Sequence, residues 1–388
     1  MNLDYNEAYP GIDDLRDRAK KRIPRFAFEY LEGGCNEDVN LYRNTSELRE
    51  IQLKPRYLDG YEGVDMSTSL FGRTYSAPFG VAPVGLQGLI WPNSPNILAK
   101  AATEHNVPFI LSTVTTSSIE DIAKITQGNF WYQLYHPAED WLRDDILRRL
   151  NEVGCEVLVI LADVPSFGFR PRDIRNGLAM PPRMTLKNIL QVIGRPNWGM
   201  QTLLHGIPSF ATMKPYMPKG LDMKQLGAFM DKTFSGRLNR DRIAVIREQW
   251  KGKLVIKGIA NSQDAQVAVE LGLDGMIVSN HGGRQLDAGE SSIKSLTDLL
   301  AFKDKLTVMM DSGIRSGPDI ARTLAAGADF TFLGRTFMYS AAALGDQGGQ
   351  HAMAMLKRQL KQVMDQVCCS RVTDFHKHLI RNVQTFKG

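Results

Sequence analysis

Short apolar runs alternate with amphipathic stretches along the chain from residue 79 onward. The runs are almost continuously hydrophobic, which is typical of parallel β-strands that are buried on both faces. We therefore expect a buried parallel sheet. The eight predicted strands are residues 79–83, 107–112, 130–135, 157–162, 254–257, 275–279, 306–311 and 330–334.

The stretches between these runs carry apolar residues at helical spacing. The predicted helices are residues 95–105, 117–125, 139–153, 240–250, 261–271, 292–303, 317–326 and 347–367. Eight strands that each lead into a helix favour an α/β fold of the (β/α)8 TIM-barrel class. A doubly wound sheet is the alternative, but no Gly-x-Gly-x-x-Gly motif follows the first strand.

The domain organisation follows from the spacing of these elements. We expect a single domain over residues 1–388, with a barrel at 76–370 and a helical N-terminal extension at 1–75. The interval at 163–240, after the fourth strand, is far longer than an ordinary βα connection. It predicts a long loop insertion that opens onto the catalytic face of the barrel.

The insertion at residues 174–221 has an unusual composition. Its 48 residues include no Asp or Glu and six Lys or Arg, whereas the whole chain has a net charge of only +5. Its larger apolar residues are Leu190, Val192, Ile193, Trp198, Met200, Leu203, Leu204, Ile207, Phe210 and Met217. Basic charge combined with Trp, Phe and Leu is typical of a segment in a membrane interface. We expect peripheral membrane contact; a mobile solvated loop and burial between subunits are the alternatives.

The overall composition excludes several classes of protein. Hydrophobic residues make up 43% and charged residues 23%, which excludes a disordered chain. The four cysteines give neither a disulfide framework nor paired zinc spacing, so we expect no metal site and a reducing, cytoplasmic compartment. The small net charge, without interleaved aromatic and basic motifs, argues against a nucleic-acid partner.

Candidate catalytic groups follow the sixth predicted strand, where a TIM barrel places its functional side chains. The run Ser-Asn-His-Gly-Gly-Arg-Gln occupies residues 279–285. His281 can act as a base near neutral pH, and Arg284 can hold a carboxylate through two parallel hydrogen bonds. A surface loop with a solvated arginine is the alternative, but the strand-end position favours a site.

Glycine, serine and arginine follow the seventh and eighth strands, at residues 311–317 and 334–335. Barrels bind phosphate through backbone N–H groups at these positions, and Arg315 and Arg335 would add positive charge. Lys257 ends the fifth apolar run, where an unpaired cation would be costly. We therefore expect an anion beside it.

These motifs resemble those of the FMN-dependent 2-hydroxy-acid oxidases and dehydrogenases, which include glycolate oxidase and the L-lactate and (S)-mandelate dehydrogenases. The run at 279–285 matches the active-site signature of that family at every position, and the resemblance covers residues 5–370. The other matching segments are residues 28–34, 132–135, 255–258, 311–317 and 333–335, together with the spacing from Asp163 to Arg170.

The resemblance implies oxidation of an L-2-hydroxy acid, lactate-like or mandelate-like, to the 2-oxo acid. His281 would be the base, and Asp163 would stabilise the charged imidazole. The substrate-binding residues that the resemblance implies are Tyr30, Tyr135, Arg170 and Arg284.

The resemblance also implies FMN as the cofactor. Lys257 would stabilise the negative charge of the reduced flavin. The other residues implied around the ring are Pro83, Val84, Gly85, Ser112, Gln133 and Ser279. Those implied at the ribityl and phosphate end are Asp311, Ser312, Gly313, Arg315, Gly334 and Arg335.

Two departures from the family pattern bear on the electron acceptor. Leu161 stands where the family usually has Thr, and Gly85 is shared with the mandelate dehydrogenase branch, whose members react poorly with oxygen. With the membrane-like insertion, this favours transfer to a quinone or similar acceptor by an enzyme on the inner face of the membrane. A soluble oxidase that makes H2O2 from O2 is the alternative, and an FMN barrel with another reaction is a second one. A homotetramer is expected from the family.

Overall fold

The computed structural model describes residues 5–58, 60–61, 63–178, 183–218, 220, 223–234 and 238–380. Eight parallel strands, one in each predicted run, form a single sheet in this part of the chain. They are β1 (Phe79–Val81), β2 (Ile110–Ser112), β3 (Trp131–Leu134), β4 (Val157–Leu161), β5 (Lys253–Ile259), β6 (Gly275–Val278), β7 (Thr307–Met310) and β8 (Phe330–Leu333).

The sheet curls into a barrel. Its strand order is β1-β8-β7-β6-β5-β4-β3-β2. The two edge strands approach each other at a parallel bridge between Val81 and Phe109, where the Val81 N–H donates to the Pro108 carbonyl at 2.9 Å. The predicted TIM barrel is therefore confirmed, and the doubly wound alternative is wrong.

The inside of the barrel is packed with apolar side chains from alternate strand positions, as a small barrel requires. A hairpin with strands Thr68–Leu70 and Arg73–Tyr75 adds its own side chains to this cluster. The ring of Phe71 at the hairpin turn lies 5.6 Å from that of Trp131, at the start of β3. The hairpin thus closes the end where the strands begin, and the opposite end is left for a site.

Helices surround the barrel and precede it in the N-terminal extension. In the described residues they are Ile12–Arg22, Arg25–Glu32, Val39–Arg49, Gln87–Ile90, Ser94–Glu104, Ile119–Thr126, Asp140–Glu152, Pro171–Arg175, Leu186–Ile193, Pro196–His205, Met223–Thr233, Arg240–Gln249, Ser262–Glu270, Ser292–Leu299, Gly317–Ala325, Arg335–Leu344 and Gly348–Val367. The sequence prediction omitted Arg335–Leu344. Gly345 follows this helix with a φ of 65°, a positive value that favours glycine and ends the helix before the final one begins.

The insertion contains regular structure in its described part. The helices Leu186–Ile193 and Pro196–His205, here called the insertion helices, are followed by a 3-10 turn at Lys214–Tyr216. The Thr185 hydroxyl accepts a hydrogen bond from the Asn188 N–H at 3.2 Å and so caps the first of them. The predicted loop insertion thus contains two helices in its described part, because local capping and tertiary packing both favour helix.

Three side chains attach the insertion helices to the rest of the molecule. The Asn188 side-chain amide donates to the Asn176 carbonyl at 2.9 Å, and the Gln191 side-chain oxygen accepts from the Phe26 N–H at 2.9 Å. Trp198 is buried against Phe26, with ring centroids 5.8 Å apart. Its indole N–H also donates to a backbone carbonyl at the end of helix Gln87–Ile90, at 3.1 Å.

Many apolar side chains of the insertion helices remain exposed. Leu203 and Ile207 are each 84% exposed. We call the following set the exposed apolar surface: Leu186, Leu190, Ile193, Met200, Leu203, Leu204 and Ile207. Of the predicted apolar residues, Trp198 and Phe210 are buried, so they belong to the core instead. The basic residue Lys219 lies outside the described residues.

Among the described residues, none of the helices is both long and apolar enough to traverse a bilayer.

Candidate active site

One cavity of about 450 Å³ lies at the carboxyl ends of the barrel strands, and most of the predicted site residues line it. Its size lies within the range of roughly 300–1,000 Å³ that is usual for small-molecule sites. The predicted residues that line it are Tyr30, Pro83, Val84, Gly85, Gln133, Tyr135, Arg170, Lys257, His281, Arg284, Asp311, Ser312, Arg315, Gly334 and Arg335. The other four predicted residues, which are not part of this lining, are Ser112, Asp163, Ser279 and Gly313.

His281 and Asp163 form a direct pair. His281 follows β6 with a φ of 60°, and its backbone N–H donates to the Ser279 hydroxyl at 3.1 Å. Its ring Nδ1 lies 3.0 Å from the Asp163 Oδ1 atom. Gly258 makes this approach possible, because a Cβ atom there would lie 2.5 Å from the Asp163 Cβ.

Burial and neighbouring charges set the protonation of this pair. Burial lowers the pKa of His281 below its ordinary value of 6.5; the Asp163 carboxylate opposes this, whereas Lys257 and Arg170 add to it. Burial by itself would raise the pKa of Asp163, but the charges of His281 and Lys257 hold it below its usual range. The pair is therefore a neutral imidazole beside a carboxylate near pH 7, which is the state a general base requires.

Two arginines lie near this pair and share a carboxylate. Arg170 begins a short helix after β4, and its Nη1 atom lies 3.9 Å from the Asp173 Oδ2. The Arg284 Nη2 atom approaches the same oxygen at 3.8 Å. Burial and the nearby Arg170 charge lower the pKa of Arg284 to about 10, so it remains a cation. Two cations against one carboxylate leave a net positive charge for an anionic ligand.

Backbone carbonyls of the N-terminal extension hold one edge of the Arg284 guanidinium. Its Nη1 atom donates to the carbonyls of Tyr30 and Gly33, at 2.8 and 2.7 Å. The guanidinium carbon also lies 5.0 Å from the centre of the Tyr30 ring. The helix Arg25–Glu32 thus positions both a predicted substrate tyrosine and a predicted substrate arginine. Burial raises the pKa of Tyr30 and of Tyr135, so both phenols stay protonated and can donate.

Lys257 has the anionic partner that the sequence predicts. Its Nζ atom lies 3.1 Å from the Asp311 Oδ2 and donates to the Ser279 hydroxyl at 2.8 Å. Burial alone would lower the pKa of Lys257, but the carboxylates of Asp311 and Asp163 raise it. The Ser312 hydroxyl donates to the other oxygen of Asp311 at 2.8 Å. Asp311 therefore pairs with Lys257 in this structure, although the resemblance implies a contact at the phosphate end.

The carboxyl ends of β7 and β8 bring Arg315 and Arg335 to the same side of the cavity. Arg335 donates to the carbonyls of Leu31, Gly33 and Gly282, at 2.9, 2.9 and 3.0 Å. Burial and the neighbouring charge of Arg315 together lower the pKa of Arg335 to about 10. Gly334 precedes helix Arg335–Leu344 and gives it no side-chain cap. The result is a helix start and two cations, which is a suitable place for a phosphate.

Another part of the cavity surroundings comes from β1, β2, β3 and the residues that follow them. Pro83, Val84 and Gly85 follow β1, and Gln133 in β3 is buried beside them in the lining. Ser112 ends β2, and its buried hydroxyl has no hydrogen-bond partner in the described part of the chain. A hydroxyl of this kind is costly to leave unsatisfied, so it favours a polar ligand nearby.

Sequence reasoning missed several lining residues. Asp173 was overlooked because nothing in the local sequence shows that its carboxylate lies between two arginines. Leu178, Phe210 and Met230 also line the cavity. Leu178 and Phe210 belong to the insertion at residues 174–221, for which the sequence predicts membrane contact, and Met230 lies in the helix after it. The composition of the insertion shows that it is basic, but it does not show which of its apolar side chains line the cavity and which are exposed.

The chain is similar to known proteins over most of its length. The family model for FMN-dependent dehydrogenase matches residues 19–382. The chain is 34% identical to an L-lactate dehydrogenase of Caulobacter sp. (strain K31), over 90% of this chain and 93% of the relative. It is 32% identical to an (S)-mandelate dehydrogenase of Pseudomonas putida, over 96% of this chain and 94% of that relative.

Solved structures are similar over nearly the whole length of the chain. A crystal structure described as the monotopic membrane protein (S)-mandelate dehydrogenase superposes with a TM-score of 0.90 at 31% identity, and covers 98% of this chain and 100% of that chain. A crystal structure of mandelate oxidase gives a TM-score of 0.82 at 29% identity, over 96% of this chain and 98% of that chain.

Proposed function

Because this chain belongs to the family of FMN-dependent dehydrogenases, we propose that it oxidises an L-2-hydroxy acid to the 2-oxo acid with His281 as the base. The observation that carries the proposal is the pairing of His281 with Asp163, at 3.0 Å, in a cavity that also contains Arg170 and Arg284. His281 can accept a proton there, and Arg170 and Arg284 can bind a carboxylate. We treat the chain as one domain, since the N-terminal extension supplies Tyr30 to the same cavity.

The residues present fit FMN. The uncapped start of helix Arg335–Leu344, with Arg315 and Arg335 beside it, suits a dianionic phosphate. The partnerless hydroxyl of Ser112 and the buried amide of Gln133 suit the polar edge of a ring. Lys257 would lie at the part of the ring that gains negative charge. When bound, FMN would accept the two electrons that the substrate loses.

His281 would receive the proton of the substrate 2-hydroxyl or of its Cα. Its Nδ1 atom faces Asp163, so Nε2 is the nitrogen that can accept. Protonation creates an imidazolium, and the Asp163 carboxylate stabilises it. The Cα–H and O–H bonds break and a C=O bond forms; His281 takes one of the two hydrogens as a proton, and the other leaves together with the two electrons that FMN, when bound, would accept. General-base assistance of this kind contributes about 10²–10⁴ in rate.

Arg170 and Arg284 would bind the substrate carboxylate. A bound carboxylate would place a second anion beside Asp173, and the two arginines would balance the two negative charges. Tyr30 and Tyr135, both protonated, would donate to the carboxylate and the 2-hydroxyl. Their combined effect is to fix the reacting carbon in one orientation, which is largely a positional contribution to catalysis.

The electron acceptor we propose is a quinone or a similar membrane-borne oxidant. The exposed apolar surface supports this, because apolar side chains that are 56–84% exposed are costly in water. The basic residues Arg183, Lys187 and Lys214 are exposed on the same insertion and would attract anionic lipid. The enzyme would then act as a peripheral protein on the inner face of the membrane.

Two alternatives remain for that surface and that acceptor. The surface could be covered by a second copy in a homotetramer, and the acceptor could be O2 with release of H2O2. Flotation with anionic vesicles, together with the rate at which air reoxidises the reduced enzyme, separates them. Vesicle binding with slow reoxidation supports the proposal; rapid reoxidation contradicts the dehydrogenase assignment, and absence of binding contradicts membrane contact.

The reaction itself is tested by mixing the yellow holoenzyme anaerobically with the L and D forms of 2-hydroxy acids. We expect the L acid to bleach the flavin absorbance and to yield one 2-oxo acid per flavin. A colourless protein, or a flavin that no 2-hydroxy acid reduces, would contradict the proposed function.

A further inference from the structure

An apolar wall closes one side of the active-site cavity. It consists of Val114, Leu178, Phe210 and Met230, all of which line the cavity. The four residues are distant in the sequence: one follows β2, one follows helix Pro171–Arg175, and two come from the insertion and the helix after it. None of these side chains carries a hydrogen-bond donor.

The wall lies beside the groups assigned to the substrate carboxylate. The Leu178 N–H donates to the Asp173 carbonyl at 2.8 Å, and the Asp173 carboxylate faces both arginines. Val114 is near the tyrosine: a Cβ atom on Gly85 would lie 2.8 Å from the Val114 Cγ2 and 3.9 Å from the Tyr30 hydroxyl. The wall is therefore on the side of the cavity where the groups assigned to the substrate lie.

Phe210 and Met230 complete the wall. The residue after Phe210 is fixed to the segment that follows β2, because the Ala211 N–H donates to the Thr115 carbonyl, one residue after Val114, at 3.1 Å. Phe234, one turn beyond Met230, packs edge-on against Tyr135 with ring centroids 5.8 Å apart. Phe210 and Met230 are 5% and 2% exposed, so this side of the cavity is closed to water.

We propose that this wall binds the substrate's own side chain, and that the substrate class is 2-hydroxy acids with a large apolar side chain, aromatic or aliphatic with at least four carbons. This rests on the proposed function. A charged or hydroxylated side chain would lose its water against Val114, Phe210 and Met230 without gaining a partner. A methyl group, as in lactate, would bury little of the wall and gain little from it.

The first experiment compares acids in anaerobic rapid mixing of the holoenzyme. The series is glycolate, L-lactate, L-2-hydroxyoctanoate, L-3-phenyllactate and L-mandelate. We expect the best of the last three to exceed lactate by at least about tenfold in the second-order rate constant of flavin reduction. Calorimetric binding of the product acids gives a second readout, with phenylglyoxylate expected to bind at least about tenfold tighter than pyruvate.

The second experiment changes the size of the wall at Val114. Val114→Phe fills the space, so we expect it to reduce the rate constant for the large acids by about tenfold or more and that for lactate by less than about threefold. Val114→Ala is the matched control at the same position and should retain the preference for large acids.

The outcomes separate this inference from the proposed function. If lactate or glycolate reduces the flavin as fast as the large acids, and Val114→Phe affects all acids equally, the inference is wrong while the proposed function stands. If no acid of the series reduces the flavin, the proposed function itself is wrong.

Discussion

The barrel mouth and the insertion helices differ in which side chains they bury: the first buries charged groups, and the second exposes apolar ones. At the barrel mouth, Lys257, Asp311 and Arg335 are buried, and each has partners within about 3 Å. On the insertion helices, leucines and isoleucines are exposed while Trp198 provides the buried attachment. Buried charge with satisfied partners is typical of a preorganised binding site, whereas exposed apolar surface is typical of a docking surface.

The largest effect that this comparison predicts is at His281. His281→Gln removes the proton acceptor but leaves the phosphate end of the cavity intact, so FMN should remain bound while anaerobic flavin reduction slows by at least ~10². His205→Gln, at the exposed end of an insertion helix, is the control and should reduce at the normal rate. A near-normal rate of flavin reduction in the His281 variant would show that His281 is not the base.

The next effect concerns the arginines. Arg284→Met or Arg170→Met removes one cation from the pair around Asp173, and the loss of a charge-assisted contact costs about 2–4 kcal/mol. We expect KM to rise by roughly 30- to 1,000-fold. Arg284→Lys should also bind poorly, since lysine cannot make the two-pronged contact. Arg175→Met, exposed on the same short helix as Arg170, should leave KM unchanged; equal effects at all three positions would contradict the assignment.

A smaller effect is expected on the insertion helices, and in binding rather than in chemistry. The pair Leu203→Ser and Leu204→Ser removes apolar area from the exposed apolar surface, so partition onto anionic vesicles should weaken by about tenfold or more. Flavin reduction by the soluble substrate should not change. The pair Tyr57→Ser and Leu58→Ser, equally exposed elsewhere, is the control. Equal vesicle binding by both pairs would show that this surface does not contact lipid.

The smallest effect tests how the insertion helices are attached. Trp198→Phe keeps the ring near Phe26 but removes the indole N–H that donates to the Ile90 carbonyl. The free energy of unfolding should fall by about 1 kcal/mol, as measured by urea denaturation. Trp141→Phe, at a 58% exposed position, should change it by less. A Trp198 variant as stable as the parent would show that this bond contributes little to the attachment.

The two regions also differ in how far the sequence predicts them. The barrel strands were predictable because burial on both faces produces continuous apolar runs. An anion beside Lys257 was predictable because a buried cation needs one. The insertion helices were missed since their apolar residues divide between the core and the surface, as Trp198 and Leu203 do. Composition alone does not indicate which direction each side chain takes.

Part of the site was likewise beyond the sequence. His281 and Arg284 stand in a recognisable run, so their assignment needed no long-range contact. Asp173, by contrast, is part of the site because its carboxylate lies near Arg170 and Arg284, which are more than 100 residues apart and follow different strands. The phosphate role of Arg335 stays a prediction. The hydrogen bonds from its guanidinium to carbonyls of the N-terminal extension were not predictable, because they depend on the packing of the whole domain.

The central claim is that His281, kept neutral by burial and supported by Asp163, accepts the substrate proton. Its most direct test is the pH dependence of anaerobic flavin reduction at low substrate in the parent and in Asp163→Asn. Burial lowers the pKa of His281 below its ordinary value of 6.5, so the rate should rise with pH through a midpoint below 6.5 and reach a plateau above that midpoint. Because the Asp163 charge raises that pKa, the Asp163→Asn midpoint should move to lower pH, with a slower plateau. A midpoint at the same pH in both proteins would contradict the account.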